Sequence, residues 1–335
     1  MEIRNSTVRL PTGKLPAALL TRFLSSLPAA GDEIVVGPRP GEDAAVLDLG
    51  GPELLVAAAD PITLASSGAA DSLIAVNSND IAVMGAEPRW LLTTVLLPEG
   101  VPETDALSLL DELAGACRRA SICLIGGHTE ITAGLGRPLL CATLLGTAPR
   151  QGLKLSRHMR PGDLLLQAGP VALEGSAVLA REHAQRLLEA GVSRAVIDAA
   201  ARWLEDPGIS ILPCARLVRG IPGVRAMHDP TEGGIATALR EFAEAGEADF
   251  RIDPGAIQVR PECRTICSAL GLNPWGLLAS GSLLIAAGPD AVESVEQMLA
   301  ASGVQAAVIG EVVAPGAGNL EELPAFAADE ITRVL

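Results

Sequence analysis

The tightest constraint on this chain is a pair of strand-like runs, "AAVLDL" (44–49) and "ELLVAAA" (53–59), separated only by Gly50, Gly51 and Pro52. Parallel strands need a crossover of a dozen or more residues, so a link this short predicts an antiparallel hairpin. Downstream, residues 71–84 read as a helix, "WLLTTVLL" (90–97) as a strand and 103–120 as an amphipathic helix. "SICLIGG" (121–127) and "PLLCATLLGTA" (138–148) read as further strands. The order β-β-α-β-α-β-β puts strands next to one another with no helix between them. That order predicts an α+β fold and not a doubly wound parallel sheet.

The polar, Pro- and Gly-containing stretch "APRQGLKLSRHMRPGD" (148–163) interrupts this pattern and divides the chain into units 1–150 and 151–335. The second unit reads as a strand ("LLLQAG"), two helices over 173–203, a strand at "VRAMHD" (224–229) and a helix over 233–246. "SLLIAAG", 290–301 and "VQAAVIGEVV" close it as β-α-β.

With 335 residues, 49% of them apolar, the chain is long enough for two ordinary cores. It has no uninterrupted apolar run of about 18 residues, and "MEIRNSTVRLPTG" is polar, so neither membrane insertion nor export is expected and a cytoplasmic setting follows. The six cysteines include no C-x-x-C and read as buried, reduced thiols; Cys263 and Cys267, one helical turn apart, are the pair placed for redox or metal chemistry. A net charge of −15 argues against a nucleic-acid partner. It does not exclude a nucleotide, because divalent cations can stand between carboxylates and phosphates.

The acids direct the search for such a site. Asp43 ("GEDAAV"), Asp60 ("VAAADP"), Asp80, Glu130 ("GGHTE") and Asp229 ("MHDPTEGG") each stand where an apolar element stops or a Gly-rich turn begins. Any one alone suits a cap or an Asx-turn. Gathered together they would repel unless cations neutralised them, so convergence in the fold implies a metal site. Asn77 and Asp80, three apart in "VNSNDIAVMG", share one face of a nearly apolar helix, and their amide and carboxylate oxygens suit Mg²⁺ bound with phosphates. "LIGGHTE" (Gly126, Gly127, Thr129) and "HDPTEGG" (Gly233) read as Gly-rich turns whose backbone N–H groups can meet phosphate oxygens. Neither a P-loop nor a dinucleotide fingerprint is present.

"GEDAAVLDL", "AAADPIT", "AVNSNDIAVMGAEPRWLLTTVLLPEG", "LIGGHTEIT", "HDPTEGGIATALREFAEA" and "LGLNPWGLLASGSLLIA" follow the order and spacing of the AIR (aminoimidazole ribonucleotide) synthase superfamily. The chain resembles that superfamily over roughly residues 10 to 315, most closely the branch of proteins similar to the hydrogenase maturation factor HypE. Thiamine-monophosphate kinase and selenophosphate synthetase are more distant relatives. The resemblance implies a two-domain α+β protein, an N-terminal mixed sheet that pairs in a homodimer barrel, and a C-terminal α/β sandwich domain. It places ATP in a cleft near the dimer interface. Asp43, Asp60 and Asp80 match the Mg²⁺-binding acids, Asp229 an acid of the second domain, and Asn77 a nucleotide-contacting Asn.

The chain also departs from the pattern. His128 stands where the superfamily has the acid of its "GG[DE]T" motif, with Glu130 two residues on, so either Glu130 substitutes or a metal position is altered; His128 itself suits a general base or a phosphate contact. Glu232 replaces the Arg of the HypE "D-x-T-R-G-G". No cysteine follows Cys267, so the self-modifying cysteine tail of HypE is not expected, nor is the N-terminal catalytic Cys or Sec of selenophosphate synthetases. What the resemblance leaves is Mg²⁺- and ATP-dependent phosphorylation of an amide- or carboxyl-type oxygen on a small or protein-borne substrate. The alternatives are a small-molecule kinase of the thiamine-monophosphate kinase kind and a nucleotide-binding partner without turnover. Lys14 in "GKLP" is a candidate phosphate contact or a solvated lysine.

Overall fold

The computed structural model of the protein describes residues 10, 12–28, 31–63 and 68–334. Most of the polar N-terminal segment lies outside these residues. The first unit runs α1 (Ala17–Leu24), β1 (Ile34–Val36), β2 (Ala45–Leu47), β3 (Glu53–Ile62), α2 (Ala69–Val83), β4 (Glu87–Pro98), α3 (Glu103–Ala120), β5 (Cys123–Thr132) and β6 (Leu139–Pro149). The second runs β7 (Leu164–Ala168), α4 (Leu173–Glu182), α5 (Ala184–Glu189), α6 (Arg194–Ala201), α7 (Leu212–Val218), β8 (Val224–His228), α8 (Gly234–Ala245) and β9 (Asp249–Ile252). It continues with α9 (Pro261–Leu270), β10 (Leu283–Ala287), α10 (Val292–Ala300) and β11 (Ala306–Val313). Among the described residues no helix is long and apolar enough to cross a membrane.

The first sheet has the order β1-β2-β3-β6-β4-β5. The Gly50-Gly51-Pro52 link closes an antiparallel pair, with Ala45 opposite Ala57 and Leu47 opposite Leu55. Only β4 and β5 are parallel, and α3 is the crossover that parallel pairing demands. The sheet is therefore mixed and the fold is α+β.

"GGHTE" is not a turn. It lies inside β5, where Gly127 pairs with Thr93. Its φ is +149°, and a Cβ there would come within 1.9 Å of Thr93 O, so glycine is what allows the two backbones to approach.

The second sheet, β8-β10-β7-β11-β9, is antiparallel throughout. Alternation along its strands sends Leu165, Leu284 and Ala286 toward α8, and Leu166 and Ile285 toward α7 and α10. Residues 173–203, read as two helices, form three. These pack with α9 into a separate apolar cluster around Leu173, Ile197 and Ile266. The helices α1, α7 and α9 and the strands β1 and β9 have no counterpart in the sequence pattern described above.

Helix α2 joins the two units. Leu73, Ile74 and Ile81 enter the core of the first sheet, while Ala82 and Val83 enter the core under the second. It ends at Gly85, whose φ of +80° reverses the chain and whose missing side chain leaves room for Gly152 O, 2.4 Å from where a Cβ would stand. The sequence reading gave α2 one apolar face and one ligand-facing stripe. Both of its faces are covered, and Asn77, Ser78, Asn79 and Asp80 are themselves buried.

Candidate functional site

Two elements and two loops bring four aspartates together. Asp43 precedes β2, Asp60 lies in β3, Asp80 in the last turns of α2, and Asp229 directly after β8. One carboxylate oxygen from each of Asp43, Asp80 and Asp229 lies within 4.8 Å of the other two. Asp80 Oδ2 and both oxygens of Asp229 are buried without a hydrogen-bond partner. Burial is the main force raising the Asp80 carboxyl well above the usual range, reinforced by the charges of Asp229 and Asp60. Burial and then Asp43 push Asp229 up to about 7, against the opposing pull of His228. Buried carboxylates with orphaned oxygens and no cationic partner of their own are hard-oxygen donors that a divalent cation would satisfy, so the residues present fit Mg²⁺.

Two further side chains hold these acids in place. Asn77, fully buried, accepts the Asp60 N–H at Oδ1 (3.1 Å) and donates through Nδ2 to Leu73 O (2.9 Å) and Asp60 O (3.4 Å). Its amide is thus occupied with fixing the Asp60 backbone to α2. His228 was missed in the sequence. Its Nδ1 lies 2.9 Å from Asp43 Oδ2, and its ring stacks on Phe242 with centroids 5.4 Å apart. Burial alone would lower the His228 pKa; the Asp43 carboxylate overrides it and holds the ring protonated, with a pKa up to about 9. The available signal was period-two alternation: Ala226 faces α8, so His228 does too, and a polar ring on a buried face needs a partner.

Asp43, Asp60 and Asp80 line a cleft of about 620 Å³ between the two units. Lys14 reaches its wall and pairs with Glu241 at 3.1 Å. Glu42, Glu174 and Glu232 add three more carboxyls, leaving Lys14 and His228 as the cations among the described lining residues.

The remaining sequence candidates sit elsewhere. His128 and Glu130 face solvent on β5, the edge strand, and bond to each other at 2.9 Å. Within one chain β6 and β4 separate β5 from β3, and none of Gly126, Gly127, His128, Thr129 and Glu130 lines the cleft of Asp43 and Asp80, but Gly127 and His128 share a second pocket of about 280 Å³ with Asp60. Gly233 lies at the start of α8, but its N–H already donates to Asp329 Oδ2 at 2.8 Å. Cys263 and Cys267 are buried thiols with sulfurs 3.9 Å apart, whereas Cys123 is exposed on β5.

Comparison with known proteins gives the family. Residues 41–148 match the AIR synthase related protein N-terminal domain, and residues 160–321 match the C-terminal domain. The chain belongs to the AIR synthase related family. Among family members, carbamoyl dehydratase HypE of Rhizobium leguminosarum bv. viciae is 34% identical over 241 residues, which is 70% of this chain and 65% of that protein. The match therefore spans slightly less than two thirds of that relative's length. The crystal structure of HypE in complex with ATP superposes with a TM-score of 0.67 at 25% identity, covering 82% of this chain and 81% of that one. The structure of Escherichia coli HypE gives 0.66 at 27% identity over 84% and 88%. The two-domain AIR synthase architecture is thus the fold of this chain.

The raised acids predict how Mg²⁺ binding responds to pH. Metal binds the deprotonated carboxylate, and Asp229 in the metal-free protein holds a proton below about 7. Calorimetric Mg²⁺ titrations are expected to show proton release at pH 6 and a Kd weaker by at least about tenfold for each pH unit below 7, because Asp80 is raised as well as Asp229. A Kd independent of pH between 6 and 8 would contradict the assignment of Asp229 as a ligand.

Proposed function

We propose that this protein is a Mg²⁺-dependent enzyme that transfers the γ-phosphoryl group of ATP to an amide- or carboxyl-type oxygen, turning that oxygen into a leaving group. The observation carrying this reading is the convergence of Asp43, Asp80 and Asp229, with three buried oxygens that no protein group satisfies. These residues, with Asp60 beside them, would hold the cation. Bound there, it would supply charge neutralisation to a triphosphate that the acidic cleft otherwise repels. Phosphoryl transfer asks little covalent work of a protein, and positioning is what these residues provide. Asn77 fixes Asp60, and His228 fixes Asp43 and offsets its charge. Lys14 at the wall offers a charge to phosphate oxygens. The names of the relatives, carbamoyl dehydratases and a HypE bound to ATP, support an amide-type oxygen as acceptor.

The same reading includes pairing of two chains through β5. Its outer edge carries no partner among the described strands, and Leu124, Ile125 and Ile131 are exposed along it, which is an edge that a second copy would cover. Sedimentation as a single-chain particle would contradict this pairing.

The test is phosphate release from Mg·ATP in the presence of a panel of primary carboxamides and S-alkyl thiocarbamates. The expected result is stimulation by at least one compound, abolished in Asp43→Asn. Tight Mg·ATP binding with no stimulation by any compound would favour a nucleotide-binding partner instead.

A further inference from the structure

The second-domain wall of the cleft carries an acid that neither the metal cluster nor the fold accounts for. Glu174, in the first turn of α4, is 5% exposed, lines the cleft, and has an Oε2 that is buried without a hydrogen-bond partner. No cation among the described residues forms an ion pair with it. Ser280 on the same wall brings its hydroxyl close enough to pull the Glu174 pKa down, although the contact falls short of full hydrogen-bond geometry. The other charges near it are the acids Asp329 and Glu232.

Asp329 shows what a structural acid looks like in this neighbourhood. Its oxygens accept the N–H groups of Gly233 at 2.8 Å and Ile331 at 2.9 Å, so it anchors the start of α8. Glu174 anchors nothing of this kind, yet it is held rigidly. The adjoining Gly175 N–H donates to Leu278 O at 2.9 Å, and a Cβ on Gly175 would stand 2.5 Å from Leu277 Cγ, so α4 lies tight against the loop that carries Ser280. A buried carboxyl with one oxygen short of a full hydrogen bond is costly, and such groups concentrate at functional sites. Burial, the dominant influence, raises Glu174 to about 7, where a carboxyl exchanges protons at neutral pH.

An amide oxygen attacks phosphorus readily only as its N–H proton departs, so phosphorylation of a carboxamide needs a proton acceptor. The aspartates are committed to the cation in the reading above, on which this inference rests, and His228 is already protonated. We propose that Glu174 is that acceptor, receiving the N–H proton of a primary carboxamide or thiocarbamate bound against the Glu174–Ser280 wall. In the step, the amide oxygen forms a bond to the γ-phosphorus as the β,γ P–O bond breaks and ADP leaves. The N–H electron pair becomes the C=N bond of the phosphorylated imidate, and the proton moves to the Glu174 carboxylate.

Glu174→Gln keeps the shape of the side chain and removes the acceptor. Mg·ATP affinity is expected to stay within about twofold, and kcat for carboxamide-stimulated phosphate release to fall by at least about 100-fold with KM little changed. The rise of the wild-type rate with pH up to about 7 should vanish, and Glu174→Asp should restore part of it. A second readout does not depend on turnover. The infrared band of a protonated carboxyl, assigned by its loss in Glu174→Gln, should titrate near neutral pH and shift when acetamide is added. Retention of kcat in Glu174→Gln, or a band unmoved by acetamide, overturns the proposal. Failure of the wild type to bind Mg·ATP would overturn the phosphoryl-transfer reading, and the acetamide response is read separately from it.

Discussion

Asp80→Asn is expected to weaken magnesium-dependent ATP binding by at least about 100-fold while making the metal-free protein more stable. The two effects have one cause. Asp80 is buried, its Oδ2 has no partner, and it faces the charges of Asp229 and Asp60. With the cation present, the carboxylate is a ligand, and an amide of the same shape is a far weaker one. Without it, a buried charge among like charges costs several kcal/mol, and a neutral amide removes part of that cost, about 1–3 kcal/mol. The pH dependence follows from the raised pKa. The wild-type acid is neutral in acid solution, and the folded state loses stability as pH rises through its folded-state pKa, so the gain from Asn should be present at pH 8 and fade toward pH 4. Thermal unfolding with and without Mg²⁺ measures both arms. A variant less stable than wild type in metal-free buffer at pH 8 would mean that Asp80 is satisfied by the protein and serves the fold.

Asn79→Ala should cost about 2–5 kcal/mol of stability. Asn79 is fully buried on α2, where its Oδ1 accepts the Ile211 N–H at 2.9 Å and its Nδ2 donates to Ile209 O at 3.0 Å. Truncation strands one buried donor and one buried acceptor of the second unit, each worth about 1–3 kcal/mol when left unpaired. The clamp joins the helix that carries Asp80 to the unit that carries Asp229, so the same variant should also bind Mg·ATP more weakly. Chemical denaturation measures the first effect and calorimetry the second. A loss below about 0.5 kcal/mol would show that α2 is held to the second unit by apolar packing alone.

The parts of this structure that were legible in the sequence are those governed by neighbours along the chain. The Gly50-Gly51-Pro52 hairpin and the 103–120 helix follow from local pattern, whereas Asp60 lies within β3 and Asp80 within α2, and the fold gathers Asp43, Asp80 and Asp229. The parts that were not legible depend on what lies across the fold. The polar residues of α2 read as a ligand-facing stripe because what covers them lies across the fold, the second unit over Asn79 and the Asp60 backbone against Asn77. "GGHTE" read as a turn because its glycines serve the close approach of a strand remote in sequence. His228 and Glu174 each look ordinary alone. Burial against Phe242 and Asp43 makes the first a charged partner, and burial beside Ser280 makes the second a group able to exchange a proton.

In the proposed function the aspartate cluster builds a metal-bridged triphosphate site. Calorimetric titration of ATP into the wild-type protein, with Mg²⁺ and with a chelator, tests it most directly. Micromolar binding that requires Mg²⁺ is expected. Binding of equal strength in chelator, or none in either condition, would contradict it.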